Sequence, residues 1–372
     1  MAVAVPAPAS ADAIRDQQWH LSFLKAQKLH AITEGHGVTV AVVDTGVDPK
    51  HPDLTGNVAN GADFAPPAAD GDGQLDTDGH GTAMASLIAG HGHGQGWRDG
   101  VLGLAPEATI LPVRHQAANL RGQGDTSAAI TWAVDHGADV INLSFVGAGV
   151  EGAVSYALNR DVVVVAGAGN VANGDTTVKA PARYPGVIAV SGTDKEGRFN
   201  DVSAKGPEVT VAAPAVDIMA ASAGDGDPYS AGGGTSNSTA LVSAAAALIR
   251  AKYPKLDAPN VIQRLIATAD DKGPKGHDDK YGFGVIDPLK ALTAKVPEVR
   301  GNPLLDRAPV SPTPSHSYTG PPLPGAKGEG EPDSGRIGAT LIAVLIAVAV
   351  VIVAVGITAV VLIRRGRKPT LP

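Results

Sequence analysis

The strongest pattern along the chain is a series of short β-branched and aliphatic runs. Val38-Thr39-Val40-Ala41-Val42-Val43 is nearly continuous and ends at Asp44-Thr45-Gly46. Runs of the same kind occupy 108–113, 139–143, 162–166, 187–191 and 209–213. Such runs suit strands covered on both faces, as in a parallel sheet. Helix-favouring stretches at 81–90, 126–137, 151–160 and 237–252 alternate with them, and two more at about 259–270 and 287–294 close the pattern. This alternation predicts an α/β fold, a doubly wound and mostly parallel sheet with helices on both faces and its site at the carboxyl ends of the strands.

Ahead of this body, residues 16–34 place Leu21, Leu24, Leu29 and Ile32 at roughly helical intervals behind Trp19, which reads as an arm packed on the main body. Behind it, residues 296–335 contain nine Pro among Gly, Ser and charged residues, so the globular part is expected to end near 295, followed by a linker over 296–336. Residues 337–363, bounded by Ile337 and Ile363, are 27 residues without a charge, long enough to cross a bilayer with some tilt. Arg364, Arg365, Arg367 and Lys368 follow that span, whereas Glu329, Glu331 and Asp333 precede it. The positive-inside rule then puts the tail at 364–372 in the cytoplasm and the N-terminal domain outside the cell membrane, as a single-pass protein.

Composition narrows the chemistry. The 372 residues include 46 Gly and only 4% aromatic residues, which suggests a core of small aliphatic side chains with tight backbone packing. The net charge is -7, and setting aside the four basic residues of the tail leaves -11 on residues 1–363, so a nucleic-acid partner is not expected. With no Cys there is no disulfide framework, thiol nucleophile or Cys-bound metal. Residues 1–15 read either as the tail of a secretory signal whose start codon lies upstream or as a disordered start.

Three stretches carry candidate chemistry. Asp44 stands at the end of a buried strand, and His80 lies between Gly79 and Gly81 at the head of a helix. Gly234-Thr235-Ser236 is a small flexible turn that puts hydroxyls at the first residues of an Ala-rich helical run, where unpartnered N–H groups and the helix dipole favour developing negative charge. Taken singly, Asp44 could cap a loop, His80 could be an ordinary first-turn residue, and Ser236 could be an N-cap. Together they supply acid, base and nucleophile, each at an element end.

These stretches, Asp44-Thr45-Gly46, Asp78-Gly79-His80-Gly81-Thr82 and Gly234-Thr235-Ser236, resemble the three signature motifs of the subtilisin-like serine proteases, in the family's order, over about residues 35–295. The plan of arm, Pro-rich tether and C-terminal membrane helix is similar to that of the mycosins, proteases associated with type VII secretion in actinobacteria. The resemblance implies that Ser236 attacks a peptide carbonyl, His80 moves the proton and Asp44 orients His80. Ser238 and Thr239 are competing hydroxyls that lie further into the helix. Asn170, after the strand-like run 162–166, would supply the oxyanion-hole amide together with the Ser236 N–H. Asn142, Leu143, Ser144 and Phe145 would form the edge to which a polypeptide substrate pairs, with Gly167 and Gly169 leaving room for a side chain. Cleavage would then fall as His80 protonates, over roughly pH 5–7 for an unperturbed imidazole.

Other signals are weaker. Gly167-Ala168-Gly169-Asn170-Val171-Ala172 fits a dinucleotide fingerprint, but Gly174, Pro181 and Pro185 argue against the helix such a site must open. The acidic run 70–78 could hold a structural Ca²⁺ or be a solvated loop, and it lacks the Glu an EF-hand loop needs. No metal ligands are assigned and no cofactor is expected for catalysis. His91-Gly92-His93 reads as a Gly-rich surface loop. Departures from the family pattern are Ala240 where Pro is frequent, no recognisable inhibitory propeptide before Asp16, and no Cys pair of the kind many mycosins carry. The expected function is a membrane-anchored extracellular serine endopeptidase acting on exported or envelope proteins. The alternative is a protease-like scaffold that partners membrane proteins of a secretion complex.

Overall fold

The structure, a computed structural model, describes residues 12–65, 71–116, 124–147, 149–224 and 226–305. In chain order the helices are α1 (Asp12–Asp16), α2 (Trp19–Phe23), α3 (Ala26–His30), α4 (His80–Ala89), α5 (Thr126–Asp135), α6 (Glu151–Leu158), α7 (Thr235–Lys252), α8 (Ala258–Thr268) and α9 (Pro288–Thr293). The strands are β1 (Thr39–Asp44), β2 (Ala62–Asp63), β3 (His91–His93), β4 (Asp99–Leu102), β5 (Thr109–Arg114), β6 (Val140–Leu143), β7 (Val163–Gly167), β8 (Ile188–Thr193), β9 (Val211–Pro214), β10 (Ile218–Ala221) and β11 (Tyr229–Gly232).

Seven strands form one sheet in the order β2-β5-β1-β6-β7-β8-β9, every pair parallel. Alternate residues of each strand enter separate cores, which is why the runs are apolar at most positions. Val40, Val42, Val163, Val165, Ile188 and Val190 pack with α4, α7 and α8 on one face. Ala41, Val43, Ile141, Val164 and Ala166 pack with α5 and α6 on the other. The chain leaves β1 towards β5 but returns to β6 on the opposite side. The connections that follow β1 and β6 therefore leave in opposite directions, which opens a crevice beyond the carboxyl ends of these strands.

Small side chains let the helices sit close to the sheet. On α7, residues Asn237 to Ile249 are all buried, and the helix meets β6, β7, β8 and β9. A Cβ on Gly167 of β7 would come within 3.1 Å of the hydroxyls of Thr235 and Thr239, so the bare backbone there sets how near α7 approaches.

The arm is not one helix. Lys25 takes a left-handed φ of 61° and splits it, and the pieces are tied down by polar anchors as well as by Leu24 and Leu29 in the core. Arg15 Nε donates to the Gly100 carbonyl at 3.0 Å, and Gln18 both donates to and accepts from the Leu102 backbone. Lys25 pairs with Asp287 at 2.8 Å. The six expected strands appear within two residues of their expected limits. The hairpins β3–β4, rich in Gly and His, and β10–β11, with Ser and Gly in its second strand, were not legible as strands. No helix among the described residues is long and apolar enough to cross a membrane, and residues 337–363 lie outside the described residues.

The start of α4 lies very close to the turn that follows β1. A Cβ on Gly81 would lie 2.0 Å from the Gly46 carbonyl oxygen, which is backbone and cannot swing away. Gly81→Ala is expected to cost about 1–3 kcal/mol, as overpacking does. A thermal melt of the variant checks this; an unchanged midpoint would mean that the contact is not fixed.

Candidate active site

Each candidate side chain is presented by an element end. Asp44 closes β1, and its side chain is almost fully buried. Gly79, at a φ of 92°, turns the chain into α4 so that His80 is the first helical residue. Gly234, at a φ of 145°, does the same for α7, with the Asn170 side chain packed against it where a Cβ would stand. Ser236 is thus the second residue of a long buried helix, where the dipole and free N–H groups favour an anion.

His80 Nδ1 lies 2.7 Å from Asp44 Oδ1. A carboxylate only accepts, so Nδ1 carries the proton and Nε2 is left as the basic nitrogen. Asp44 Oδ1 also accepts from the Thr45 N–H at 2.8 Å, and its Oδ2 is buried without a partner. The ring, otherwise enclosed, is 35% exposed on the cleft side. Burial acts to lower the His80 pKa, but the Asp44 carboxylate, by charge and by hydrogen bond, outweighs it with help from Asp78 and Asp76. The net result is a pKa pushed up to about 9. The window expected from an unperturbed imidazole therefore moves upward.

His80, Ser236, Asn170, Ser144, Phe145 and Gly167 all line one cleft of about 1000 Å³. Ser236 Oγ donates to the Ser144 carbonyl at 3.2 Å in this state. Asn170 Oδ1 accepts from the Thr235 N–H at 2.9 Å. Because that donor cannot accept, the amide orientation is fixed and the Nδ2 hydrogens are free for the cleft. Ser238 and Thr239, the competing hydroxyls, are fully buried and donate to carbonyls within the fold.

Three candidates lie elsewhere than expected. Asn142 and Leu143 are fully buried in β6 and do not reach the cleft; only the next residues, Ser144 to Val146, do so. Strand alternation turns Leu143 into the α5–α6 core, and Asn142 faces α7, where it bonds Ser243 and Ser144. Gly169, at a φ of 113°, is packed on Asp175 rather than open to the cleft. After β7 the chain makes a single 3₁₀ turn over Val171–Asn173, not the helix a dinucleotide would need.

One residue that the sequence reading treated as part of an acidic loop proves central. Asp76 is buried and accepts from the Thr45 hydroxyl and the N–H groups of Asp78 and Gly79 at Oδ1, and from the Thr82 N–H and hydroxyl at Oδ2. Thr45 Oγ1 in turn accepts from the Gly81 N–H at 2.9 Å. The Asp76 carboxylate thereby caps α4 and stitches it to the residue after Asp44. Among the described residues no group of three or more His, Asp or Glu is placed to hold a metal ion; Asp70 lies outside them. Asp76→Ala is expected to destabilise by about 3 kcal/mol or more, as loss of a buried polar network does, and to loosen the His80–Asp44 distance. Denaturant unfolding together with the His80 imidazole NMR signal reads both, and an unperturbed signal would free the geometry from Asp76.

Comparison with known proteins identifies the family. The model of the Subtilase family matches residues 35–284. Mycosin-1 of Mycobacterium tuberculosis (strain ATCC 25618 / H37Rv) is 34% identical over 356 residues, covering 79% of this chain and 77% of that protein. Subtilisin E of Bacillus subtilis (strain 168) is 37% identical over 276 residues, covering 72% and 68%. The solved structure of the serine protease MycP1, described as an essential component of the type VII (ESX-1) secretion system, superposes with a TM-score of 0.64 at 36% identity, covering 77% of this chain and 90% of that one. With the subtilisin-like sheet, helices and cleft on the same chain, the protein belongs to the subtilase family of serine proteases and is related to the mycosins.

Proposed function

We propose that the chain is a serine endopeptidase in which Ser236 is the nucleophile, His80 the general base and acid, and Asp44 the residue that orients and charges His80. The observation that carries this reading is the 2.7 Å Asp44–His80 pair with His80 exposed to the cleft that Ser236 lines. The Ser236 hydroxyl swings from the Ser144 carbonyl to His80 Nε2, gives up its proton and attacks the substrate carbonyl. The oxyanion forms between Asn170 Nδ2 and the Ser236 N–H at the start of α7. His80 then protonates the leaving amine, and water repeats the cycle on the acyl-enzyme.

A substrate would lie extended along Ser144 to Val146, recognised mainly through its backbone. The chemistry uses only protein groups, so no cofactor is invoked, and structural Ca²⁺ at the acidic loop is not part of the reading. Relatedness to the mycosins supports an association with type VII secretion. Residues 337–363 would anchor the chain in the cell membrane, with the catalytic domain outside and the basic tail inside. Proteins that are exported or held in the envelope are then the substrates within reach of the tether.

A fluorophosphonate probe on the full chain tests the nucleophile: the parent is labelled and Ser236→Ala is not. Labelling that survives in the variant would remove Ser236 from this role, and an unlabelled parent would favour the scaffold. Asn170→Ala should lower turnover about 100- to 1000-fold, the magnitude known for loss of such a donor in a subtilisin.

The pH dependence follows from His80. Only the neutral ring accepts a proton, and Asp44 holds the ring protonated up to about pH 9. The labelling rate should therefore climb through pH 7 and 8 and level off only above about 9. A plateau already reached at pH 7 would sever the coupling between His80 and Asp44.

A further inference from the structure

The polar groups buried between α7 and β6 form a single chain with a direction. Ser243 Oγ donates to Asn142 Oδ1 at 3.1 Å, Asn142 Nδ2 donates to Ser144 Oγ at 3.0 Å, and Ser144 Oγ donates to the Ser236 carbonyl at 3.3 Å. Asn142 and Ser243 are 0% exposed, and neither lines the cleft. Ser243 stands two turns along α7 from Ser236. The network therefore begins inside the helix, crosses to the sheet and returns to the same helix at the nucleophile.

Burying Asn142 and Ser243 in an aliphatic core is costly unless each finds a partner. Their particular effect is on Ser144. Its hydroxyl takes a hydrogen bond from Asn142 and is thereby left to point its own hydrogen at Ser236. Were the Asn142 amide reversed, its oxygen would claim that hydrogen and Ser236 would lose the bond. The Ser243 hydroxyl, donating to Oδ1, favours the observed orientation.

We propose that Asn142, oriented by Ser243, is a positioning residue of the hydrolytic reaction. It aims the Ser144 hydroxyl so that the peptide unit of the nucleophile is pinned to the edge along which substrate pairs. Attack depends on the placement of Ser236 relative to that edge to within a fraction of an ångström, and this chain of bonds is a direct tie between the two. The inference rests on Ser236 as nucleophile.

The test uses the folded full chain and the fluorophosphonate probe, comparing the parent with Ser243→Ala, Ser243→Thr, Asn142→Ala and the Ser243→Ala/Asn142→Ala double variant. Ser243→Ala should slow labelling about three- to tenfold, what one buried hydrogen bond can supply to a barrier, without moving the pH midpoint set by His80. Ser243→Thr keeps the hydroxyl and should restore the rate. The double variant should label no more slowly than Asn142→Ala, because members of one network are not additive.

A Ser243→Ala protein that melts lower yet labels at the parental rate would make the network merely structural and overturn the proposal, as would effects that multiply in the double variant. If Asn142→Ala does not fold, the Ser243→Ala and Ser243→Thr pair decides alone. An unlabelled parent overturns the peptidase reading and this inference with it, whereas a labelled parent with an unaffected Ser243→Ala overturns only the inference.

Discussion

How closely the start of α4 can come to the end of β1 governs everything at the cleft. Gly81 against the Gly46 carbonyl sets the distance sterically, and Asp76 with Thr45 holds it by hydrogen bonds. Neither element carries the constraint alone. A side chain at 81 would push α4 outward, and without the Asp76 carboxylate the N–H groups of Gly79 and Thr82 would lose their acceptor. Only with both in place does the His80 ring reach Asp44 at 2.7 Å.

That closeness has an electrostatic consequence that works against itself. Asp44 is buried with one oxygen unpartnered, so its charge is compensated chiefly by the His80 ring and the Thr45 N–H. A protonated His80 is what the fold favours, and its pKa of about 9 lies above the ordinary imidazole value. By linkage this stabilisation is fully present below about pH 6.5 and is lost as pH rises through about 9. Proton abstraction needs the opposite state. The most reactive form of the site is therefore the one in which the Asp44–His80 pair stabilises the fold least.

Much of this was legible in the sequence because the signals were local. Strands buried on both faces have few polar positions to blur them, so the runs around Val40, Val164 and Ile188 give their limits almost directly. Asp44, His80 and Ser236 stand at element ends marked by Gly. Other features depend on partners distant in sequence. Asp76 looks like any residue of an acidic loop until α4 is folded over it. Asn142 was read as part of the substrate edge because its stretch resembles the family's substrate-binding segment, of which only Ser144 to Val146 line the cleft. Its true partner, Ser243, is about 100 residues away. The hairpin β10–β11 has polar and Gly positions exposed on its second strand, and no periodicity reveals it. The raised His80 pKa needed a distance, not a motif.

The unusual composition also finds its reason at the cleft. Asn237 to Ile249 of α7 are buried without a break, pressed between the sheet and α4, α8 and α9. A helix enclosed on all sides cannot shift to accommodate a misfit, so its neighbours must be small; hence the many Ala and Gly and the scarcity of aromatic rings. The same enclosure fixes the helix N-terminus, where Ser236 sits beside Asn170. The tight aliphatic packing that reads in the sequence as a bland interior is thus what holds a hydroxyl, an amide and an imidazole in register across three separate elements. A larger side chain along α7 would be felt first at Ser236, the end of the helix where there is empty cleft to move into.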